Sequence, residues 1–297
     1  MVMSVHDTPS SSLEWRRVPE LKDPFLVAGF RGWSDAGSVS SDTLSYLAQT
    51  LNPTVIATLS EEPFVNYTLD RPVAQIEDGI IHEIEPMFTE FSCWNNPDGD
   101  HDAVIVLARE PHYRWLEFAS TIVDLMFRLG VTRLYLIGGV EDTISHNSQP
   151  LVTLVGSSPE VIAETMCLGS GIRPADYYGP ISIHSCLIRA CEEAGVEAVS
   201  FWAHVPAYLQ KNPRLVARIV TILNASLGMQ CPTELLERKS AELDLRINEA
   251  LLKDPNLKRL VDSIQRDDEV QESSSTQEKV IRLDDFLRRD SRKDPEK

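Results

Sequence analysis

Phe25-Leu26-Val27-Ala28-Gly29-Phe30-Arg31-Gly32-Trp33-Ser34-Asp35-Ala36-Gly37 runs from an apolar strand, through a loop rich in glycine, to the start of a helix. A loop of that build can aim backbone N–H groups at a ligand or a partner. Its spacing, Gly29, Gly32 and Gly37, is neither the dinucleotide fingerprint nor a phosphate-binding P-loop, because no Gly-Lys-Ser/Thr follows. The strand-to-helix step is nevertheless that of an α/β protein, and the segments on either side repeat it.

Downstream, Gly37–Leu51 reads as a helix with a polar opening and an apolar face starting at Val39, Leu44 and Leu47. Strand-like runs follow at Thr54–Leu59, Ala103–Ala108, Arg133–Ile137, Leu151–Val155 and Val196–His204. Helical patterns lie between and after them, at Tyr113–Leu129, Pro159–Cys167, Ile181–Ala194 and Pro213–Leu227. This alternation predicts a mostly parallel sheet covered by helices on both faces. Asp78-Gly79, flanked by Pro72–Glu77 and Ile80–Glu85, predicts a β-hairpin that leaves the sheet and forms an edge or an oligomer contact. Beyond Pro232 the chain turns charged and helical, with a break at Asp254-Pro255 that predicts two antiparallel helices. The expected organisation is an N-terminal arm over 1–20, a core over 21–230, a helical hairpin over 231–265 and an acidic, largely disordered tail over 266–297. Within that tail, Val280–Leu287 is a short amphipathic piece able to dock on a partner or on the body.

Composition narrows the function. A chain of 297 residues, 42% hydrophobic, can bury a substantial core. Its net charge of −17 and pI near 4.8 repel phosphate backbones and anionic lipid surfaces, so neither nucleic acid nor a membrane is an expected partner. The sequence contains no apolar run long enough to span a bilayer and no signal-peptide layout, so a cytoplasmic protein is expected. The five cysteines are scattered without a C-x-x-C pair, which predicts reduced, mostly buried thiols. His101, His112, His146, His184 and His204 lie far apart without an H-E-x-x-H, so no metal site is expected. A G-x-S-x-G nucleophile elbow is absent as well.

Four polar clusters fall at predicted strand ends, where open α/β sheets hold their ligands. The first is the glycine loop with Gly29, Arg31, Gly32, Trp33 and Asp35, the alternative for Asp35 being a plain helix cap. The second is Arg109-Glu110-Pro111-His112, in which Glu110 is either a proton-transfer group or a partner for a helix dipole. The third, residues 138–147, packs Gly139, Asp142 and His146 with two hydroxyls, either for chemistry or for bonding its own backbone. The fourth joins Tyr177-Tyr178-Gly179-Pro180 to His204-Val205-Pro206-Ala207-Tyr208, where aromatic packing is the alternative.

In this order the clusters resemble the proteasome assembly chaperone 2 family, in its prokaryotic branch. The resemblance covers about residues 20–265 and is carried by the stretch from Val27 to Gly37, by Arg109-Glu110-Pro111 with Trp115, and by the loop from Gly138 to His146 followed by Pro150. Gly179-Pro180 and the segment from Phe201 to Tyr208 complete it. It implies a three-layer α/β/α sandwich resembling the phosphorylase/hydrolase-like fold, with a helical C-terminal extension. It also implies a homo-oligomer, a trimer among the states allowed, that is non-enzymatic and assembly-chaperone-like and acts through contacts with an unidentified protein partner, without a cofactor; chaperoning of proteasome assembly is the role of eukaryotic and archaeal relatives. Some prokaryotic relatives carry the label of predicted ATP-grasp carboligases, but this sequence has neither paired lysines nor a Glu-x-Asn metal-chelating set. The final residues, Lys293 to Lys297, also lack the hydrophobic-Tyr-any tail by which archaeal relatives insert into the proteasome ring, so that route to the proteasome is not expected. The competing expectation is a binding protein or hydrolase for an anionic or nucleoside-like small molecule. There Arg31 and loop amides would hold the anion, and Glu110 or His146 would move a proton.

Overall fold

A computed structural model describes residues 13–274, with side chains to Arg266. The strands are β1 (Leu13–Trp15), β2 (Phe25–Arg31), β3 (Thr54–Ser60), β4 (Ala74–Glu77), β5 (Ile80–Ile84), β6 (Phe88–Trp94), β7 (Ala103–Arg109), β8 (Arg133–Asp142), β9 (Val152–Gly156), β10 (Ile172–Pro174) and β11 (Glu197–Pro206). The helices are α1 (Val39–Leu51), α2 (Trp115–Leu129), α3 (Pro159–Met166), α4 (Ile183–Ala194), α5 (Pro213–Leu227), α6 (Glu234–Lys253) and α7 (Pro255–Ser274).

Nine strands form one sheet in the order β1-β3-β6-β7-β2-β8-β11-β9-β10. Its centre, β7-β2-β8-β11, is parallel, as the strand–helix alternation predicts. The sheet as a whole is mixed rather than mostly parallel, because β1, β3 and β6 pair antiparallel on one side of that centre and β9 runs antiparallel to β11 on the other. β1, β6 and β10 have no counterpart in the sequence expectations. β1 and β10 are only three residues long, and β6 alternates exposed with buried positions instead of forming an apolar run. β8 also carries Gly138 to Asp142 as strand, where a loop is expected, because each of its ten positions is paired with β11 as far as Pro206.

Side chains on each central strand alternate between two cores. Leu26, Ala28 and Phe30 pack with Phe118, Ile122 and Met126 of α2 and with Leu187 and Cys191 of α4. Phe25 and Val27 pack on the opposite face with Leu44 and Leu47 of α1 and with Val216, Ile219 and Leu223 of α5. The result is the expected sheet between two helical layers. α6 extends it through buried Leu236, and α7 runs to Ser274, nine residues past the expected boundary at 265. The remaining tail, including Val280–Leu287, lies outside the described residues. Among the described residues, no helix is long and apolar enough to cross a membrane and no side-chain cluster fits a metal ion.

β4 and β5 stand apart as a two-stranded sheet of their own, and all of their residues are exposed. Buried Arg109, at the end of β7, anchors the foot of this ribbon. Its Nε donates to Glu61 (3.1 Å), while its other guanidinium nitrogens pair with Asp70 (2.9 Å) and Glu85 (2.6 Å). Burial pushes the Glu61 carboxyl above its usual range. Burial also opposes ionisation of Glu85, but the Arg109 contact and the Val73 amide outweigh it and hold that carboxyl low.

Candidate functional site

The glycine loop and the end of β8 lie against each other. Gly139 N donates to Ser34 O at 2.8 Å, and Asp35 pairs with Gly139 as an isolated bridge. The approach is possible because Gly139 has no side chain: a Cβ there would stand 2.3 Å from Ala36 O. Two of the loop's amides are engaged within the protein, Trp33 N by Glu110 Oε2 (3.2 Å) and Asp35 N by Gly32 O (3.2 Å).

Beneath Trp33 opens a cleft of about 470 Å³. Strand parity decides its floor. Gly138, Trp202, Thr153 and Arg173 are register partners across β8, β11, β9 and β10, so they share one face, and His204 lies two residues from Trp202 on that same face. This is the face that α4 covers farther back, where His184 packs on Trp202 with ring centroids 4.9 Å apart. Trp33 meets Trp202 edge to face at 6.3 Å. The opposite wall is Tyr177, Pro180, Ile181, Ser182 and Ser185.

On the floor, His204 Nδ1 is 2.7 Å from Asp142 Oδ2 and its Nε2 is 3.1 Å from Thr153 Oγ1. The hydrogen bond from His204 holds the Asp142 carboxyl below its usual range, so Asp142 is ionised at neutral pH. Nδ1–H therefore donates to Asp142, and in the neutral imidazole Nε2 is left to accept from the Thr153 hydroxyl.

The residues singled out in the sequence divide among several places. Trp33 lines the cleft, and Asp142 reaches its floor through His204. Gly29 faces α1, where a Cβ would come within 2.3 Å of Ser40 Oγ, so it is a packing position. Gly32 has φ +129°, a turn conformation that suits glycine. Asp35 Oδ1 accepts Ser41 N at 3.0 Å, in the first turn of α1, while the residue at that helix's N-cap position is Ser38. Glu110 ties two loops together, accepting Trp33 N and Ile183 N (3.0 Å). Arg31 pairs with Glu85 (2.7 Å) beside a separate pocket of about 290 Å³ that Glu61 and Arg109 also line. His146 belongs to another cluster, its Nδ1 2.7 Å from the Tyr208 hydroxyl and its carbonyl accepting from Arg214. Thr153, Arg173, Ser182 and Ser185 have no local sequence signal, because sheet order alone brings them to the cleft.

His184 supplies a test of this region through pH. It is buried, its Nδ1 lies 2.8 Å from Ser200 Oγ, and its Nε2 has no hydrogen-bond partner among the described residues. Burial pushes the imidazole down from 6.5 to about 3, so it stays neutral in the folded protein. As pH falls, the unfolded chain binds the proton first. The stability contributed by neutral His184 is therefore complete above about pH 6.5 and is lost at about 1.4 kcal/mol per pH unit down towards pH 3. Urea unfolding at a series of pH values should give a slope for the wild type steeper by about that amount than the slope for His184→Asn. Equal slopes would assign the acid sensitivity to other groups.

Comparison with known proteins places these features in context. A family model described as the PAC2 family matches residues 29–251. A PAC2 family protein from Streptomyces avermitilis is similar in structure, with 29% identity, a TM-score of 0.68 and coverage of 76% of this chain and 95% of that one. A proteasome-assembly chaperone homologue from Mycobacterium tuberculosis shares 27% identity at a TM-score of 0.71, covering 80% of this chain and 99% of its own. PbaB from Pyrococcus furiosus, an archaeal proteasome activator, is similar in fold alone, at 16% identity and a TM-score of 0.65 over 80% of this chain and 97% of that one. No curated protein matches the chain.

Proposed function

Because the chain belongs to the PAC2 family, a family with chaperone-like members, we propose that it acts as an assembly factor through contacts with other protein chains. The observation that carries this reading is the β4–β5 ribbon. Ile76, Ile80, Ile81 and Ile84 are each more than half exposed on it. A two-stranded ribbon gains little stability by itself, and clustered exposed isoleucines on a soluble chain mark a surface that another protein covers. The Arg109 anchor holds the ribbon's foot in place and so presents it ready-formed. Its first partner in this reading is a second copy of the chain, since two identical ribbons can meet about a two-fold axis and bury the same side chains from both sides.

Ile76 and Ile81 are opposed across the ribbon, so one pair of substitutions alters one face. Ile76→Lys combined with Ile81→Lys should convert an oligomer to a monomer in light scattering coupled to gel filtration, with the melting temperature almost unchanged. A wild-type chain that is already monomeric at micromolar concentration, or an oligomer indifferent to the substitutions, would refute self-association through the ribbon. A second reading, a site for a small molecule, is supported by the cleft under Trp33.

A further inference from the structure

We infer that the cleft hydrolyses carboxylic esters by acyl transfer, with the Thr153 hydroxyl as nucleophile, His204 as its base and Asp142 as the residue that positions the imidazole. The inference rests on the small-molecule reading of the cleft and is independent of the ribbon. Its geometric basis is a continuous relay: Asp142 Oδ2 to His204 Nδ1 at 2.7 Å, and His204 Nε2 to Thr153 Oγ1 at 3.1 Å. A nucleophile within hydrogen-bond reach of a base that a third group orients is the arrangement hydroxyl-based acyl transfer requires, whatever the chain order of its members. A purely structural network could be sealed in the core; here Thr153, largely buried at 8% exposure, and His204 both line a cleft of about 470 Å³, a volume that takes a small ester.

The surroundings fit the charge changes of the reaction. Arg173 sits at the register position beside Thr153, and its positive charge also acts on Asp142. A cation there can stabilise the oxyanion that forms when the carbonyl is attacked. Trp33, Trp202 and Tyr177 supply apolar and aromatic walls, which favour an aryl or short alkyl ester over a strongly charged one. The steps balance without any co-reactant other than water. Thr153 Oγ bonds to the acyl carbon while His204 Nε2 takes the hydroxyl proton. The C–O bond to the leaving alcohol then breaks, and His204 returns the proton to that oxygen. Water, deprotonated by His204, attacks the acyl-threonine, the acid departs, and the proton goes back to Thr153 Oγ.

The test uses p-nitrophenyl butyrate as the ester and p-nitrobutyranilide as its slowly reacting isostere, with the full chain. The wild type should release nitrophenol, Thr153→Val should lose that activity, and Thr153→Ser should retain it. Asp142→Asn should lower kcat by about 10²-fold or more with KM little changed, a split that a general loss of structure would not produce. Quenching of tryptophan fluorescence by the anilide separates binding from turnover. If the anilide quenches but the ester is not turned over, or Thr153→Val works as well as the wild type, the relay inference fails while the cleft remains a binding site. If the anilide does not bind and the ester is not turned over, both fail.

Discussion

Arg109→Met is expected to destabilise the protein by about 3–5 kcal/mol, the range for removing one partner from a buried ion cluster. The guanidinium contacts three carboxylates at once, through Nε to Glu61 and through its other two nitrogens to Asp70 and Glu85. Arg109 and Glu61 are both more than nine-tenths buried, so their interaction is little screened by solvent. Methionine fills much of the same volume but leaves three acidic groups together with no central cation. The loss should depend on pH in a definite direction. Without Arg109, the Glu61 carboxyl, already pushed up by burial, rises further, and the folded variant holds a proton that the unfolded chain releases. The variant therefore loses less at mildly acidic pH than at neutral pH. Arg109→Lys keeps the charge but not the three-way fork, so it should fall between wild type and methionine. Urea unfolding at both pH values measures the size and the trend. Amide exchange across 70–85 should quicken, because Asp70 and Glu85 flank the ribbon. A methionine variant as stable as the wild type would mean that the cluster does not fix the ribbon's foot.

Much of the central fold was legible in the sequence. Phe25–Phe30, Thr54–Leu59 and Ala103–Ala108 are apolar runs bounded by turn residues, and each lies within an observed strand. α5 spans Pro213–Leu227, the range expected for it. The hairpin at Asp78-Gly79 follows from local turn chemistry, and its two residues take positive φ as such a turn demands. What escaped was whatever depends on distant pairing. β6 exists because β3 and β7 flank it, and β10 because β9 offers an edge. The cleft illustrates the same limit. Trp33 and Asp142 were visible as chemistry at strand ends, whereas Thr153 becomes interesting only when β9 is laid antiparallel against β11 so that it stands beside Trp202. Alternation along β11 was the one available hint, since Trp202 and His204 must share a face. Glu110 and Arg31 looked reactive because charge near a strand end is ambiguous in one dimension, and the partners that engage them, Ile183 N and Glu85, are 73 and 54 positions away.

Gly139→Ala should be the most damaging single-methyl addition near the cleft, costing about 1–3 kcal/mol as an overpacked contact. The added Cβ would stand 2.3 Å from Ala36 O and 3.1 Å from Ala36 C, and these are backbone atoms that cannot rotate aside. Relief requires the loop from Gly32 to Gly37 to move off β8. That would break the Gly139 N to Ser34 O hydrogen bond and shift Trp33 relative to Trp202. The lower entropy of an unfolded chain with alanine returns only about 0.4–1 kcal/mol, too little to offset a backbone collision. Gly138→Ala provides the comparison. Its Cβ would meet His184 Cε1 and Trp202 Cε3, each at 3.1 Å, and these ring atoms can yield by a few tenths of an ångström. The expected order is therefore a large fall in melting temperature for Gly139→Ala and a smaller one for Gly138→Ala, with near-ultraviolet dichroism changing most in the former as the tryptophan pair separates. The reverse order would mean that the loop is free to lift from β8, and the cleft would then have a movable roof in place of a fixed one.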